Sequence, residues 1–251
     1  MASKPSGVEI QISGANVAFL LVHGFCAAPD EMATLGDFLS ERNISSFAVQ
    51  ISGHNTTPEE LRHTSWQDWY KSIVDALEYI KAWSVEFIFV AGISMGGALS
   101  ALLASENEGI DGLVLIAPAL KIDGVLPKLV PFLKYIVKDR KIDIIKSQEK
   151  YDIKRTKYSK EPISAYHELF KLQQAVRQRL PRITIPTLII QGTNDKTINP
   201  KNGQFAFNKI SSIDKQLHLI EGAEHVIPCH PSRNDAYPLI EEFTKRIAQL
   251  T

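Results

Sequence analysis

The sequence predicts an α/β fold with a mostly parallel sheet. Three observations predict it: short apolar runs rich in β-branched residues, amphipathic helical stretches alternating with them, and a glycine-rich turn where one run meets a helix. The runs are Val17 to Val22, Ile44 to Ile51, Phe87 to Ala91, Leu113 to Ile116, Thr187 to Gln191 and Leu217 to Ile220. They are apolar at both parities, as strands covered on two faces must be. Among the helical stretches, "TSWQDWYKSIVDALEYIKAW" sets Trp66, Trp69, Ile73, Leu77 and Ile80 at helical spacing, with Thr64 and Gln67 as a capping box. Asn199 and Pro200 open another helix, and the last begins near Asn234 or Asp235 and runs to the C-terminus.

The alternation lapses from about Lys121 to Arg182, where no strand run is evident and at least two amphipathic helical patterns are. Ala165, Leu169, Leu172, Val176 and Leu180 form the clearer stripe, following a cap at Ser164. Residues 121–182 are therefore expected to be a helical cap inserted into a core made of 1–120 and 183–251. The insertion carries sixteen Lys or Arg against seven Asp or Glu, a net +9 that the rest of the chain balances, since the whole has 28 of each sign. This charge reads as a solvated outer face.

With 251 residues, 44% of them hydrophobic, the chain can bury one sizeable core. Its balanced charge offers no global field for nucleic acid, and no nucleic-acid partner is expected. Cys26 and Cys229 are the only cysteines, too few for a disulfide framework, which suits the reducing cytoplasm. "MASKPSGVEIQISG" lacks the apolar core of a signal peptide, and "VAFLLV" is too short to span a bilayer. A soluble cytoplasmic monomer or homodimer without stable membrane insertion is the expectation.

The stretch "VAGISMGGALSALLA" at 90–104 matches Gly-x-Ser-x-Gly. At about 7% usage per residue, such a match arises by chance in about one chain in ten of this length, so the motif alone decides little. Its setting decides more: "FIFVAG" is a strand ending at Gly92, and "GGALSALLA" is a helix starting at Gly96 or Gly97. A strand, a sharp turn and a helix are the setting of a nucleophile elbow. Gly92 and Gly96 are needed there because side chains two before and two after the serine would collide. Ser94 would then stand strained at a helix N-terminus, whose N–H groups favour a neighbouring oxyanion.

A serine hydroxyl needs a base, and the base needs a carboxylate to set its tautomer. On a sheet of this kind the partners follow in the order Ser, acid, His, each in a loop after a strand. Asp195 lies beyond "PTLIIQ", and His225 lies beyond "QLHLIEGAEH" at the end of the last strand. His218 falls inside a strand, His230 in a proline-bounded loop, and Asp214 before a strand rather than after one, so these are the weaker candidates. "HGF", His23 to Phe25, follows the first apolar run, where the backbone N–H of Phe25 would join that of Met95 as an oxyanion hole.

At this point "LLVHGF", "GHNTTPEELRHTSWQDWY", "VAGISMGG", "IPTLIIQGTNDKTINP" and "EGAEHVI" together resemble the serine α/β-hydrolases, and among them the small bacterial and archaeal carboxylesterases and monoacylglycerol lipases. The resemblance covers nearly the whole chain and is weakest in the cap. It implies the α/β-hydrolase fold and cleavage of small-molecule carboxylic esters through an acyl-enzyme. Ser94, Asp195 and His225 would form the triad, with no cofactor and no metal. A cap of about sixty residues suggests an apolar pocket for short to medium-chain esters, monoacylglycerols included. Amidases, carbon–carbon hydrolases, perhydrolases and non-catalytic small-molecule receptors use the same fold and stay open as alternatives. His54 in the "SGH" block reads as a loop histidine satisfying hydrogen bonds, and the two cysteines as buried free thiols.

Overall fold

The computed structural model describes residues 4–122 and 126–250. In chain order the first elements are β1 (Gly7–Ile10), β2 (Val17–Val22), α1 (Ala33–Ser40), β3 (Ser45–Val49), α2 (Pro58–Arg62), α3 (Trp66–Lys81), β4 (Phe87–Ile93), α4 (Met95–Glu106) and β5 (Gly112–Ile116). The stretch expected to be an insertion, residues 121–182, contains α5 (Leu126–Leu133), β6 (Asp139–Lys141), α6 (Ile144–Gln148), β7 (Lys160–Pro162) and α7 (Ile163–Arg179). Then come β8 (Thr187–Gly192), α8 (Lys201–Lys209), β9 (Lys215–Ile220) and α9 (Arg233–Ala248).

The main sheet has seven strands in the order β1-β3-β2-β4-β5-β8-β9, all parallel except β1, which pairs antiparallel with β3. The six parallel strands are the six apolar runs of the sequence. The edge strand β1 was not legible, because "GVEI" is four residues long and no more than half-buried.

Neighbouring residues of β2 serve opposite faces, as strand parity requires. Leu20 joins Trp69, Leu77, Leu99 and Leu172 on the side of α3, α4 and α7. Phe19 joins Leu35, Leu39, Ile240 and Phe243 on the side of α1 and α9. Each such buried side chain contributes about 1.5–3 kcal/mol. With helices on both faces, the central strands keep every residue covered, which is why their sequences are continuously apolar.

Local chemistry departs from expectation at four places. The capping box of α3 is Ser65 with Asp68, one residue beyond the expected pair; Thr64 instead accepts a hydrogen bond from the Trp69 indole N–H at 2.8 Å. Ser164 lies inside α7 rather than capping it, since Pro162 holds the N-cap position. The helix after Ser94 starts at Met95, because the serine itself occupies the N-cap. The insertion also contains a small antiparallel hairpin, β6 with β7, whose three-residue strands are too short and too charged for an apolar pattern to reveal them.

Candidate active site

Parallel strands bring their carboxyl ends to one edge of the sheet, and the loops that leave there gather the site. Ser94 follows β4, Asp195 follows β8, and His225 follows β9. Ser94 has φ 55° and ψ −118°, a conformation that few residues other than glycine adopt. Its main chain is held from both sides: Ser94 N–H donates to the Ile116 carbonyl at 3.0 Å, and its carbonyl accepts from Ala119 N–H at 2.9 Å. A Cβ on Gly92 would lie 2.3 Å from the Gly96 carbonyl oxygen, and one on Gly96 would lie 2.2 Å from the Val22 carbonyl oxygen. Both glycines are therefore demanded by close backbone approach at the turn.

The three side chains named from sequence converge. Ser94 Oγ is 2.9 Å from His225 Nε2, and His225 Nδ1 is 2.7 Å from Asp195 Oδ2. A carboxylate facing Nδ1 keeps the proton there, leaving Nε2 as the acceptor for the serine hydroxyl. Asp195 is anchored in turn, with Oδ1 accepting Thr197 N–H at 2.8 Å and Ile198 N–H at 2.9 Å, and Oδ2 accepting the Gln191 side-chain amide at 3.2 Å. Burial pushes this carboxyl up, but the His225 hydrogen bond and then the two main-chain donors outweigh it and hold it below the ordinary aspartate range. It stays ionised beside the imidazole.

The "HGF" loop lies next to the serine. A Cβ on Gly24 would be 3.5 Å from Ser94 Cβ. Glu31 Oε2 accepts the Gly24 N–H at 2.6 Å, while Glu31 Oε1 accepts from Arg155 of the insertion at 2.7 Å. Phe25 N–H and Met95 N–H have no acceptor among the described residues; Met95 directly follows Ser94, and Phe25 lines the same cavity as Ser94. His23 uses both ring nitrogens internally, Nδ1–H donating to the Gly24 carbonyl at 2.9 Å and Nε2 accepting Ile51 N–H at 3.3 Å. His54 is fully buried against Phe25, Trp69 and His23; burial first, and His23 second, lower its pKa to about 3. It is a neutral, buried residue behind the Phe25 loop.

One stretch of the insertion binds several of these loops together. Arg155 reaches Glu31, Thr156 N–H and hydroxyl both donate to Asp30, and Tyr158 N–H donates to the Cys26 carbonyl. Asp152 pairs with Arg233 at 2.7 Å, and Ile153 N–H donates to the Cys229 carbonyl beyond the histidine. Sequence reasoning missed Glu31 and Arg155. The available signal was weak, an acidic pair in the otherwise uncharged "CAAPDEM", since its partner lies 124 positions away.

A cavity of about 430 Å³ opens beside Ser94 and His225, lined by the Phe25 loop and by the insertion. It is not the purely apolar pocket that the sequence suggests, because charged side chains of the insertion line it alongside Phe25, Leu169 and Ile198. The rejected candidates fall elsewhere. His218 is in β9, Asp214 precedes that strand and pairs with Arg246, and His230 bonds to Ser232. Cys26 and Cys229 are buried free thiols, and no group of three His, Cys, Asp or Glu suited to a metal ion occurs among the described residues. Nor is any helix among them long and apolar enough to cross a membrane.

This geometry can be set beside known proteins. The family described as "Serine aminopeptidase, S33" matches residues 14–231. A carboxylesterase of Bacillus subtilis (strain 168) is 31% identical over 234 residues, covering 93% of this chain and 94% of that protein. A thermostable monoacylglycerol lipase of Bacillus sp. (strain H-257) is 30% identical over 211 residues, covering 84% and 83%. A solved structure described with the metagenome-derived lipolytic enzymes LipS and LipT superposes with a TM-score of 0.88 at 26% identity, covering 96% of this chain and 97% of that one. The mostly parallel sheet, the serine turn at its carboxyl edge and the match over most of its length thus agree: the chain belongs to the family described as serine aminopeptidase, S33, and is a serine α/β-hydrolase.

Proposed function

We propose that the protein hydrolyses carboxylic esters of short to medium chain length, monoacylglycerols among them, through an acyl-enzyme on Ser94. The observation that carries this is the unbroken line from Ser94 Oγ through His225 to Asp195, at 2.9 and 2.7 Å. Ser94 Oγ bonds to the acyl carbon as its proton passes to His225 Nε2; the imidazolium then gives that proton to the departing alcohol oxygen. A water, deprotonated by His225, attacks the acyl-enzyme and releases the acid and the free serine. Asp195 orients the ring and stabilises its cation, and Phe25 and Met95 N–H receive the negative oxygen of each tetrahedral intermediate. Residues 121–182 act as the cap over this site, with 123–125 lying outside the described residues. The buried unpaired thiols support a reducing, cytoplasmic setting, and a monomer or homodimer is expected.

The carboxylesterase and the monoacylglycerol lipase among the relatives support ester chemistry. The family description, a serine aminopeptidase, supports a second reading, in which an acid in the wall would receive a free α-amino group. Glu31, Glu161 and Glu224 line the cavity, and each already holds a cation of the protein, which favours the ester. The test is a methyl and p-nitrophenyl ester series from acetate to palmitate, run beside a monoacylglycerol and aminoacyl p-nitroanilides. Turnover of the short and medium esters, lost by several orders of magnitude in Ser94→Ala, is the expected result. Parental ester turnover in that variant, or preference for the anilides, would reject the assignment.

A further inference from the structure

The cavity beside Ser94 carries charge that ester hydrolysis does not require. Five cations line it, Arg140, Lys146, Lys150, Arg155 and Lys157, all from the insertion whose charge the sequence suggested would face outward. Three carboxylates share the lining, and each is matched by one of them: Glu31 by Arg155 at 2.7 Å, Glu161 by Lys157 at 2.9 Å, Glu224 by Lys150 at 2.9 Å. Further donors occupy the same carboxylates, namely Gly24 N–H on Glu31, the Tyr166 hydroxyl on Glu161 and the Asn194 amide on Glu224. No acid in this wall is left to receive a cationic substrate.

Arg140 and Lys146 are the surplus. Arg140 donates to the neutral Tyr166 hydroxyl at 3.0 Å and forms no ion pair with Glu161, its cross-strand neighbour, whose carboxylate is paired with Lys157; the Lys146 main chain bonds to Asp143, and its ammonium has no hydrogen-bond or ion-pair partner among the described residues. They come from different short elements, β6 and α6, yet line one cavity with the nucleophile. The neighbouring Asp195 does not offset them, because it lies behind His225 and is bonded to that ring, Thr197 and Ile198. Two unmatched cations over apolar walls raise the local concentration of anions and hold a carboxylate or phosphate through charge-assisted hydrogen bonds.

We infer that the preferred substrates are esters bearing an anionic group away from the scissile bond, and that Arg140 and Lys146 form the subsite that receives it. This rests on the ester-hydrolase reading and adds the substrate class to it. The test uses matched pairs. Methyl hexanoate against monomethyl adipate places the charge on the acyl side; 1-butyrylglycerol against 1-butyrylglycerol 3-phosphate places it on the alcohol side.

In one arm the anionic partner should have a kcat/KM at least about tenfold above its neutral partner at 20 mM salt. That ratio should shrink several-fold at 500 mM salt, as a charge interaction at a solvent-open mouth must. The ratio should fall toward unity in Arg140→Gln/Lys146→Gln and below it in Lys146→Glu, both made at exposed positions. The arm that responds identifies the side. If the neutral esters are turned over by a Ser94-dependent reaction and neither anionic partner exceeds its match, the subsite is wrong and the hydrolase reading stands. If no ester of either kind is turned over, both fall.

Discussion

Replacing Ser94 by glycine and by alanine separates the chemistry of the elbow from the strain stored in it. Both variants lose the hydroxyl and its 2.9 Å hydrogen bond to His225, so that loss cancels in the comparison. What remains is the backbone at φ 55° and ψ −118°. A residue with a Cβ held there is strained by about 1–3 kcal/mol, and glycine escapes most of it. Against this stands the ordinary disadvantage of glycine relative to alanine, about 0.5–1 kcal/mol of chain entropy. The difference leaves Ser94→Gly the more stable by about 1 kcal/mol, or about 2–4 °C in Tm for a chain of this size. The control is Lys71, on the exposed face of α3, where Lys71→Gly should be less stable than Lys71→Ala by the usual margin. Urea unfolding of the four variants provides the readout, and both Ser94 variants should be without esterase activity. If Ser94→Gly is less stable than Ser94→Ala by the margin seen at Lys71, the elbow stores no strain and the reasoning fails.

Four further outcomes follow from the same geometry. Arg155→Met leaves Glu31 buried without its cation, the side chains being 6% and 3% exposed, and should destabilise by about 3–5 kcal/mol in urea, most of it recovered in Glu31→Gln/Arg155→Met; a single-variant loss under about 1 kcal/mol would contradict a buried pair. His54, held neutral with its pKa lowered to about 3, binds its proton only in the unfolded chain between about pH 6.5 and 3, so stability should fall as pH drops through that window. His54→Gln should flatten the slope by about 1 kcal/mol per pH unit, and an unchanged slope would show that His54 is not the group responsible. Cys26 and Cys229 are buried, and burial pushes the Cys229 thiol up to about 12, so neither should react with a disulfide reagent at pH 8 until urea unfolds the chain; fast native labelling would refute their burial. Gly92→Ala, whose Cβ would meet the Gly96 carbonyl oxygen at 2.3 Å, should displace the serine and lower kcat by about a hundredfold, measured at saturating ester; parental kcat would mean the turn has room.

The sequence by itself determined what depends on neighbours in the chain. Parallel strands covered on both faces are largely apolar throughout, so β2, β3, β4, β5 and β8 announced themselves, and the half-buried edge strand β9 did so through its Leu217 to Ile220 run; the elbow was legible because its strand, its two glycines and its helix all lie within residues 87–106. Asp195 and His225 were legible for a related reason: strand order assigns each loop to one edge of the sheet, so position after a strand stands in for position in space. Boundaries drifted by a residue where two polar side chains competed, as Thr64 and Ser65 do at the start of α3. Only the tertiary structure decided which charges meet. Glu31 and Arg155, Lys150 and Glu224, and the unmatched Arg140 and Lys146 depend on how the insertion folds back over the sheet edge, and a charge pattern read along the chain cannot tell a solvated face from a cavity wall. Coulomb energy depends on distance and burial, and neither is a property of spacing in sequence.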